Sequence, residues 1–312
     1  MGAQARVFVT RQLPGAALDR LAADHDVEVW PDRLPPPRSE LFARAPELQG
    51  LLSLLTDPVD AELIAAAPKL RAISNYAVGV DNVDVEAAAA RGIPVGNTPD
   101  VLTDSTADLA VALMLGIGRR LAEGEAFVRA GEWRTWEPDL LLGRDLNAAT
   151  VGIVGYGRIG RAVARRLEGF GCEVLTANRS SGIEDLLERS DFVTLHSPLT
   201  PETRGMIDDA ALRRMKPTAY LVNTARGPIV DTDALARALH AGELAGAALD
   251  VTDPEPLPAD HPLLDAPNVL VVPHVGSATV ATRERMADMA VNNLLAGLAG
   301  EPMPHSVTDR SA

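Results

Sequence analysis

The sequence predicts an α/β protein with two domains, each built on a parallel β-sheet. Short apolar runs alternate with Ala- and Leu-rich helical stretches along nearly the whole chain, which is the pattern of repeated strand-helix-strand units. A length of 312 residues is enough for roughly two domains of ordinary size. A long apolar-periodic helix at residues 104–121 and a Gly-, Trp- and Pro-rich loop at 131–143 separate two series of such units.

The first series predicts a small sheet domain. Helical stretches at residues 16–23 and 60–67 lie between short apolar runs that favour the extended conformation. The predicted strands are residues 6–10, 27–30, 50–55, 71–75 and 93–96.

The second series begins at Thr150 and predicts six further strands with helices between them. These strands are residues 150–154, 173–177, 192–196, 219–223, 247–251 and 269–272. A final Ala-rich helix at residues 280–298 has no strand after it, so we expect it to pack on the first domain. The first domain is then discontinuous, with residues 1–99 and 282–312, and the second domain comprises residues 100–281.

Composition narrows the possible ligands. The chain has 29 Lys and Arg against 43 Asp and Glu, a net charge of −14, so nucleic acid and anionic membrane surfaces would repel it. Cys172 is the only cysteine in the sequence, so an intrachain disulfide and a cysteine-cluster metal site are excluded. The N-terminal residues MGAQARVFVT lack the apolar core of a signal peptide, and we expect a cytoplasmic protein. A small molecule is the expected ligand.

A glycine-rich turn predicts where a dinucleotide binds. The G-x-G-x-x-G pattern follows the apolar strand TVGIV and opens a helix with apolar residues at helical spacing. Backbone amides and the helix dipole at such a turn suit a pyrophosphate, which indicates a doubly wound, Rossmann-type domain. The residues of the turn are Gly155, Tyr156, Gly157, Arg158, Ile159 and Gly160.

The end of the next strand bears on the choice of cofactor. In place of an acid that would bind the ribose 2′-hydroxyl of NAD, it carries Asn178, Arg179 and Ser180. A guanidinium and two small polar groups can bind a 2′-phosphate, so NADPH/NADP⁺ is favoured. The alternative, that Arg179 is solvated and NADH is also accepted, stays open.

Three segments in the second half carry unlike reactive groups at the ends of predicted parallel strands, where open α/β sheets bind ligands. They contain Arg226, Glu255 and His274. An arginine can grip a carboxylate, a histidine can protonate a carbonyl oxygen, and a glutamate bonded to that histidine would favour its protonated form. On this pattern alone His196, His240 and His261 are equally available as the acid.

Taken together, the glycine turn, NTARGPIVD, LDVTDPEPLP and VVPHVGSAT resemble the D-isomer-specific 2-hydroxyacid dehydrogenase family over nearly the whole chain. Upstream, NYAVGVD at residues 75–81 resembles the substrate loop of that family. The segments VLTDSTADLA, GEWRTWEP and NNLLAGLAGEPMP are most similar to the glyoxylate/hydroxypyruvate reductases, which commonly prefer NADPH.

The resemblance implies a flavodoxin-like substrate domain beside the Rossmann-type domain, and a role for each matching residue. Arg226 would orient the 2-oxo acid, His274 would donate the proton with Glu255 as its partner, and the amides of Val78 and Gly79 would bind the substrate carboxylate. Asp250 would face the nicotinamide amide. The residues implied to line the cofactor are Thr106, His196, Pro198, Thr203, Thr224, Ala225, Asp250, His274 and Gly276.

Two apolar side chains are candidates for limiting substrate size. In the enzymes that this chain resembles, the second Trp of the loop reaches the neighbouring active site of a homodimer, so Trp136 would do so here. Alternatively, Trp133 and Trp136 only anchor their own loop by burial. Leu55 would cap the substrate pocket, or else is an ordinary core leucine. The segment DNVD at residues 81–84 is expected to start a helix, since it lacks the Gly and Glu of a calcium loop.

The expected function is reduction of glyoxylate or hydroxypyruvate by NADPH in a homodimer, without metal. An NAD-dependent D-lactate-type, phosphoglycerate or phosphite dehydrogenase of the same family is the nearest alternative. A nucleotide-sensing scaffold similar to the C-terminal-binding-protein corepressors is an alternative of another class.

Overall fold

A computed structural model of the chain describes residues 4–177 and 182–308. They form two compact units, one with the residues up to Leu102 and those from Ala278 onward, the other with Thr103–Ser277. The chain passes between the units at residues 102/103 and 277/278. The sequence predicted these domain boundaries at 99/100 and 281/282. Each unit contains one parallel sheet, which confirms the predicted fold class.

The sheet of the first unit has five parallel strands in the order β2-β1-β3-β4-β5, the flavodoxin-like order. The residues of β3 and β4 are buried on both faces, as expected where helices cover both sides of a parallel sheet. The strands are β1 (Arg6–Val9), β2 (Asp26–Val29), β3 (Gly50–Ser53), β4 (Ala72–Asn75) and β5 (Val95–Gly96).

Among the described residues, five α-helices belong to this unit, and three of them start at a residue that caps the helix through its side chain. Asp60, Asp84 and Thr279 each accept a hydrogen bond from the backbone N–H three residues on, an arrangement that contributes about 1 kcal/mol per helix. The helices are α1 (Ala17–Asp24), α2 (Arg38–Arg44), α3 (Ala61–Ala66), α4 (Val85–Ala90) and α11 (Val280–Ala299).

The last helix and the segment after it complete the first sheet. Ser74 Oγ in β4 donates to the carbonyl of Ala290 in α11 at 2.8 Å. Beyond the helix the chain pairs antiparallel with β5, where Val307 N donates to the carbonyl of Val95 at 2.8 Å. The C-terminal segment therefore lies along the edge of β5.

The sheet of the second unit has six parallel strands in the order β11-β10-β9-β8-β6-β7, so the strand order reverses between β6 and β8. The strands are β6 (Thr150–Val154), β7 (Glu173–Ala177), β8 (Phe192–Leu195), β9 (Tyr220–Asn223), β10 (Gly246–Leu249) and β11 (Val269–Val271). The helices are α5 (Thr103–Gly118), α6 (Leu121–Arg129), α7 (Arg158–Leu167), α8 (Glu184–Arg189), α9 (Asp209–Arg214) and α10 (Thr232–His240).

Two parts of the predicted secondary structure were wrong. The helix predicted to run to residue 121 ends at Gly118, because Arg120 takes a left-handed conformation with φ 52° and α6 starts directly after it. Helix α2, which follows the proline-rich residues 31–37, was not predicted. Within residues 4–177 and 182–308, no helix has the length and apolar character needed to span a bilayer.

Candidate active site

The glycine turn stands at the carboxyl end of β6, and its three glycines expose backbone without side chains. Gly155 has φ +94°, and a Cβ there would lie 2.6 Å from the backbone nitrogen of Ser197 in the loop after β8. Gly157 is the residue before α7, and no heavy atom of the described chain lies within 4 Å of where its Cβ would be. At Gly160 a Cβ would overlap the carbonyl oxygen of Gly155. A side chain is thus excluded at two of these positions and the third faces open space.

The turn fits the pyrophosphate of a dinucleotide. No side chain in the described part of the chain caps the N-terminus of the ten-residue helix α7, the end of a helix where N–H groups lack intrahelical acceptors. The first turn carries Arg158 and Arg161 and no acid, and the helix dipole favours an anion there. Ile159 packs toward the core and Tyr156 is exposed. The residues predicted to bind a 2′-phosphate, Asn178, Arg179 and Ser180, lie outside the described residues.

His274 and Glu255 form a hydrogen-bonded pair. His274 Nδ1 lies 2.6 Å from Glu255 Oε1. An ionised carboxylate can only accept, so Nδ1 carries the hydrogen and Nε2 is left for proton transfer. His274 follows β11 and has φ 53°, a left-handed conformation uncommon for a residue other than glycine. The pair has the geometry of an oriented general acid.

Asp250 fixes the turn that carries His274. Its carboxylate accepts hydrogen bonds from the backbone N–H of Val275 at 2.6 Å and of Gly276 at 2.9 Å, and its carbonyl accepts from His274 N at 2.9 Å. Burial raises the pKa of Asp250 above its ordinary value. The sequence had pointed to Asp250 only as a contact of the nicotinamide amide, and it gave no signal of this positioning role.

Gly276 lies between two other predicted cofactor residues. A Cβ at Gly276 would be 3.0 Å from Asp250 Oδ2 and 3.3 Å from Thr106 Oγ1. Thr106, on α5, and Asp250, after β10, are thereby brought together around the backbone of residue 276.

Asn223, fully buried at the end of β9, shapes the turn that bears Arg226. Its Nδ2 donates to the carbonyl of Arg226 at 2.9 Å, and its Oδ1 accepts from Ala225 N at 3.0 Å. Arg226 Nη1 donates to the carbonyl of Ala225 at 2.8 Å. This turn is therefore held by the strand that precedes it.

The turn of Arg226 packs against the loop of Glu255. A Cβ on Gly227 would overlap the carbonyl of Thr252, so the two backbones touch. In the second loop, Thr252 Oγ1 donates to the carbonyl of Pro254 at 2.8 Å, and Thr252 N donates to Glu255 Oε2 at 3.4 Å. The guanidinium-bearing turn and the carboxylate-bearing loop are thus neighbours at the carboxyl edge of the sheet.

The other histidines of the second unit have different surroundings. His196 follows β8, with Thr194 Oγ1 3.0 Å from Nε2 and Thr224 Oγ1 3.4 Å from Nδ1, and burial lowers its pKa to about 3. The lowered pKa keeps His196 neutral at pH 7, which makes it a poor proton donor. His240 bonds the carbonyl of Pro262 at 3.1 Å, and His261 caps a short helix through Leu263 N. His261 also meets a carboxylate, Asp233 of α10 at 3.4 Å, whereas His274 meets Glu255 at the carboxyl edge of the sheet.

The loop after β8 contains two more residues predicted to line the cofactor. Thr203 Oγ1 donates to the carbonyl of Pro198 at 2.7 Å and accepts from Thr200 N at 2.8 Å, so the hydroxyl of Thr203 is used within its own loop. Ala225 is buried in the core of the unit.

Among the described residues, no group of three His, Cys, Asp or Glu side chains could hold a metal ion.

The first unit contains three of the predicted substrate residues. Leu55 stands two residues beyond β3 and is 38% exposed, so its interpretation as an ordinary core leucine was wrong. Val78 and Gly79 lie in the loop after β4 and are half-buried. In the described chain, no acceptor takes the N–H of either residue.

The tryptophans of the loop after α6 are not buried by their own chain. Trp133 is 63% exposed and Trp136 is 79% exposed. The interpretation that they merely anchor their loop by burial was therefore wrong.

Comparison with known proteins places these features in a family. The NAD binding domain model of the D-isomer specific 2-hydroxyacid dehydrogenases matches residues 111–276. The glyoxylate reductase of Korarchaeum cryptofilum is 49% identical to this chain, over 97% of this chain and 95% of that protein.

Solved structures agree with the sequence relatives. The TT0316 protein of Thermus thermophilus is 51% identical with a TM-score of 0.92, covering 97% of this chain and 99% of that one. The NADPH-dependent glyoxylate/hydroxypyruvate reductase of Sinorhizobium meliloti, in complex with NADP and malonate, is 34% identical with a TM-score of 0.85, covering 98% of this chain and 97% of that one.

Proposed function

The chain belongs to the D-isomer specific 2-hydroxyacid dehydrogenases, and we propose that it reduces glyoxylate to glycolate and hydroxypyruvate to D-glycerate with NADPH. The observation that carries the proposal is the 2.6 Å bond between His274 Nδ1 and Glu255 Oε1, with the turn of Arg226 against the loop of Glu255. The relative from Korarchaeum cryptofilum bears the name glyoxylate reductase, which supports the choice of substrate.

Each of the three residues has a distinct part in the proposed reaction. NADPH, when bound, supplies the hydride. Arg226 grips the 2-oxo acid through its planar, two-pronged guanidinium and fixes the carbonyl group. His274 gives the proton on Nε2 to the carbonyl oxygen as that oxygen becomes a hydroxyl. Glu255 keeps the imidazole in one orientation and stabilises its positive charge before the proton leaves.

The first unit contributes groups that bind the substrate carboxylate. We propose that the N–H groups of Val78 and Gly79 donate to it, since backbone amides without a protein acceptor suit an anion. Leu55, exposed beyond β3, would provide an apolar surface for the small substrate.

The preference for NADPH rests on the sequence and on one relative. Asn178, Arg179 and Ser180 replace the acid that would repel a 2′-phosphate. The Sinorhizobium meliloti relative is described as NADPH-dependent and is complexed with NADP. NADH remains a second, weaker cofactor in this proposal.

We also propose a homodimer, in which α6 and the loop after it are covered by a second copy. Large apolar side chains are exposed along this stretch, which is costly for a surface that stays in water. Leu121, Val128 and Leu141 line a cavity of about 520 Å³. Trp136, 79% exposed, would reach the substrate of the second copy and limit its size. The large apolar residues exposed on this surface are Leu121, Val128, Trp133, Trp136 and Leu142.

Initial rates on a panel of acids test the proposal. Glyoxylate, hydroxypyruvate, pyruvate and 3-phosphohydroxypyruvate are compared with NADPH and NADH, and phosphite oxidation is measured with both oxidised cofactors. We expect the highest kcat/KM for glyoxylate or hydroxypyruvate with NADPH. A higher value for another acid, or for phosphite, would assign a different member of the family. Tight NADPH binding with no turnover of any acid would favour the corepressor-like scaffold.

A further inference from the structure

Three consecutive carbonyl groups in the loop after β4 each accept a hydrogen bond from a residue at the end of a strand. The carbonyl of Ala77 accepts from Thr98 N at 2.8 Å. The carbonyl of Val78 accepts from Asn97 Nδ2 at 2.7 Å, and the carbonyl of Gly79 accepts from Asn75 Nδ2 at 2.9 Å. All three donors stand at the carboxyl ends of β4 and β5.

These bonds fix the direction of three N–H groups. A trans peptide unit is planar and points its N–H opposite to its C=O. The carbonyls of residues 77, 78 and 79 share their peptide units with the N–H groups of Val78, Gly79 and Val80, which therefore face away from the donors. None of these three N–H groups reaches an acceptor in the part of the chain that the structure describes. Successive N–H groups arranged in this way bind anions.

We propose that Asn75 and Asn97 are positioning residues that aim three amides, those of Val78, Gly79 and Val80, at the carboxylate of the substrate. The amide of Val80 is then a third donor beside the two of the proposed function, on which this inference rests for the identity of the anion. A carboxylate has enough lone pairs to accept all three bonds.

Asn75 is suited to this task because its side chain is fixed on every side. It is fully buried, and its Nδ2 donates to Asn82 Oδ1 at 2.9 Å as well as to Gly79. Its Oδ1 accepts from Ser53 Oγ at 3.0 Å. These contacts leave the amide one orientation, with a donor toward the carbonyl of Gly79.

Asn97 is held through its backbone. Its N–H donates to the carbonyl of His305 at 3.1 Å, and its carbonyl accepts from Asn293 Nδ2 at 2.9 Å. Asn293 is fully buried on α11, and its Oδ1 accepts from His305 N at 3.0 Å. The C-terminal segment and α11 therefore support the residue that orients the Gly79 amide.

Amide NMR on the wild-type holoenzyme tests the third donor without any turnover. The protein is labelled with ¹⁵N-valine and ¹⁵N-glycine, saturated with NADPH and titrated with oxamate, a carboxylate analogue of a 2-oxo acid whose amide resists reduction. We expect the amide protons of Val78, Gly79 and Val80 to shift downfield together. A Val80 amide that does not move while the other two do would overturn the three-donor arrangement.

Substitution tests the two positioning residues. In N97A and N75A we expect the inhibition constant of oxamate and the KM of the 2-oxo acid to rise roughly tenfold, the effect of one buried hydrogen bond. We expect kcat to change by less than about threefold and NADPH affinity to stay the same, because the lost interaction is uniform binding of substrate. The matched control is S74A. Ser74 is in the same strand as Asn75, and the substitution removes a buried hydroxyl that is hydrogen-bonded to Ala290 of α11.

The outcomes separate this inference from the proposed function. Unchanged oxamate inhibition in both asparagine variants, or an equal rise in S74A, would overturn the positioning role. If neither asparagine variant folds, the wild-type titration decides. A protein that binds oxamate through three amides but reduces neither glyoxylate nor hydroxypyruvate would contradict the proposed substrates and support the inference. Turnover of glyoxylate or hydroxypyruvate, together with a Val80 amide that does not shift when oxamate binds, would support the proposed substrates and contradict the inference.

Discussion

Gly227 lies directly against Thr252, so that the backbone after Arg226 touches the backbone of the loop that carries Glu255. The absence of a side chain at residue 227 therefore allows the turn that bears Arg226 and the loop that bears Glu255 to pack backbone against backbone. The contact joins two loops that follow neighbouring strands, β9 and β10.

Gly227→Ala is expected to disturb this arrangement. The new Cβ would overlap a backbone carbonyl, which cannot rotate away, so one loop must move and separate Arg226 from Glu255. We expect kcat/KM to fall at least roughly tenfold and unfolding stability to fall by about 1–3 kcal/mol. The control is Gly169→Ala, where no heavy atom of the described chain lies within 4 Å of the new Cβ. A Gly227→Ala protein with wild-type kinetics and Tm would contradict the structural reading of the contact.

His196 should make the fold sensitive to acid. Burial lowers its pKa from 6.5 to about 3 in the folded state, so between these values the unfolded chain binds a proton that the folded chain does not. Stability therefore rises with pH in this window and is lost as the pH falls below 6.5, by roughly 2 kcal/mol at pH 5. Urea midpoints at pH 7.5 and pH 5 are compared for wild type and His196→Gln. The variant should show the smaller difference, and an equal difference would refute the assignment.

Much of the fold could be predicted because its strands are short apolar runs that end at polar or glycine residues. The strand beginning at Thr150 and the one beginning at Glu173 match the structure over their full length. The break between α5 and α6 could not, since the left-handed residue is Arg120 itself and not one of the nearby glycines, Gly116, Gly118 or Gly124. Tertiary contacts decide that conformation, and they leave no local pattern.

The sequence predicted the reactive side chains of the site but not the hydrogen bonds that position its backbone. Glu255 and His274 could be paired because family motifs carry both. The bonds from Asp250 to the amides of residues 275 and 276, and from Asn97 to Val78, join a side chain to a distant backbone and have no signature in composition or period. One signal existed: Asn75 and Asn97 are polar residues at the ends of two buried strands, the edge where ligands bind.

Arg179→Asp is expected to exchange the cofactor preference. It would set a carboxylate against the 2′-phosphate, so the dissociation constant of NADPH should rise far more than that of NADH. Fluorescence titration with both cofactors measures this. Arg213→Asp, the same charge change on α9, should leave both constants unchanged. An equal loss for both cofactors in Arg179→Asp would remove the argument for NADPH.

Val128→Asp is expected to dissociate the proposed homodimer. Val128 lies on α6 and is 53% exposed in the single chain, and a buried unpaired charge between two copies would be costly. Sedimentation velocity should give a dimer for wild type and a monomer for the variant. Leu34→Asp places the same charge on a residue that is 71% exposed outside this surface and should stay dimeric. A monomeric wild type would refute the homodimer.

His274→Asn tests the central assignment most directly. Asparagine can still donate to Glu255 but cannot supply a proton to the substrate. Single-turnover and steady-state rates with glyoxylate and NADPH, together with the dissociation constant of NADPH, are measured on both proteins. We expect kcat to fall by roughly 100-fold or more, with cofactor affinity nearly unchanged. A variant that turns over at the wild-type rate would show that another group delivers the proton.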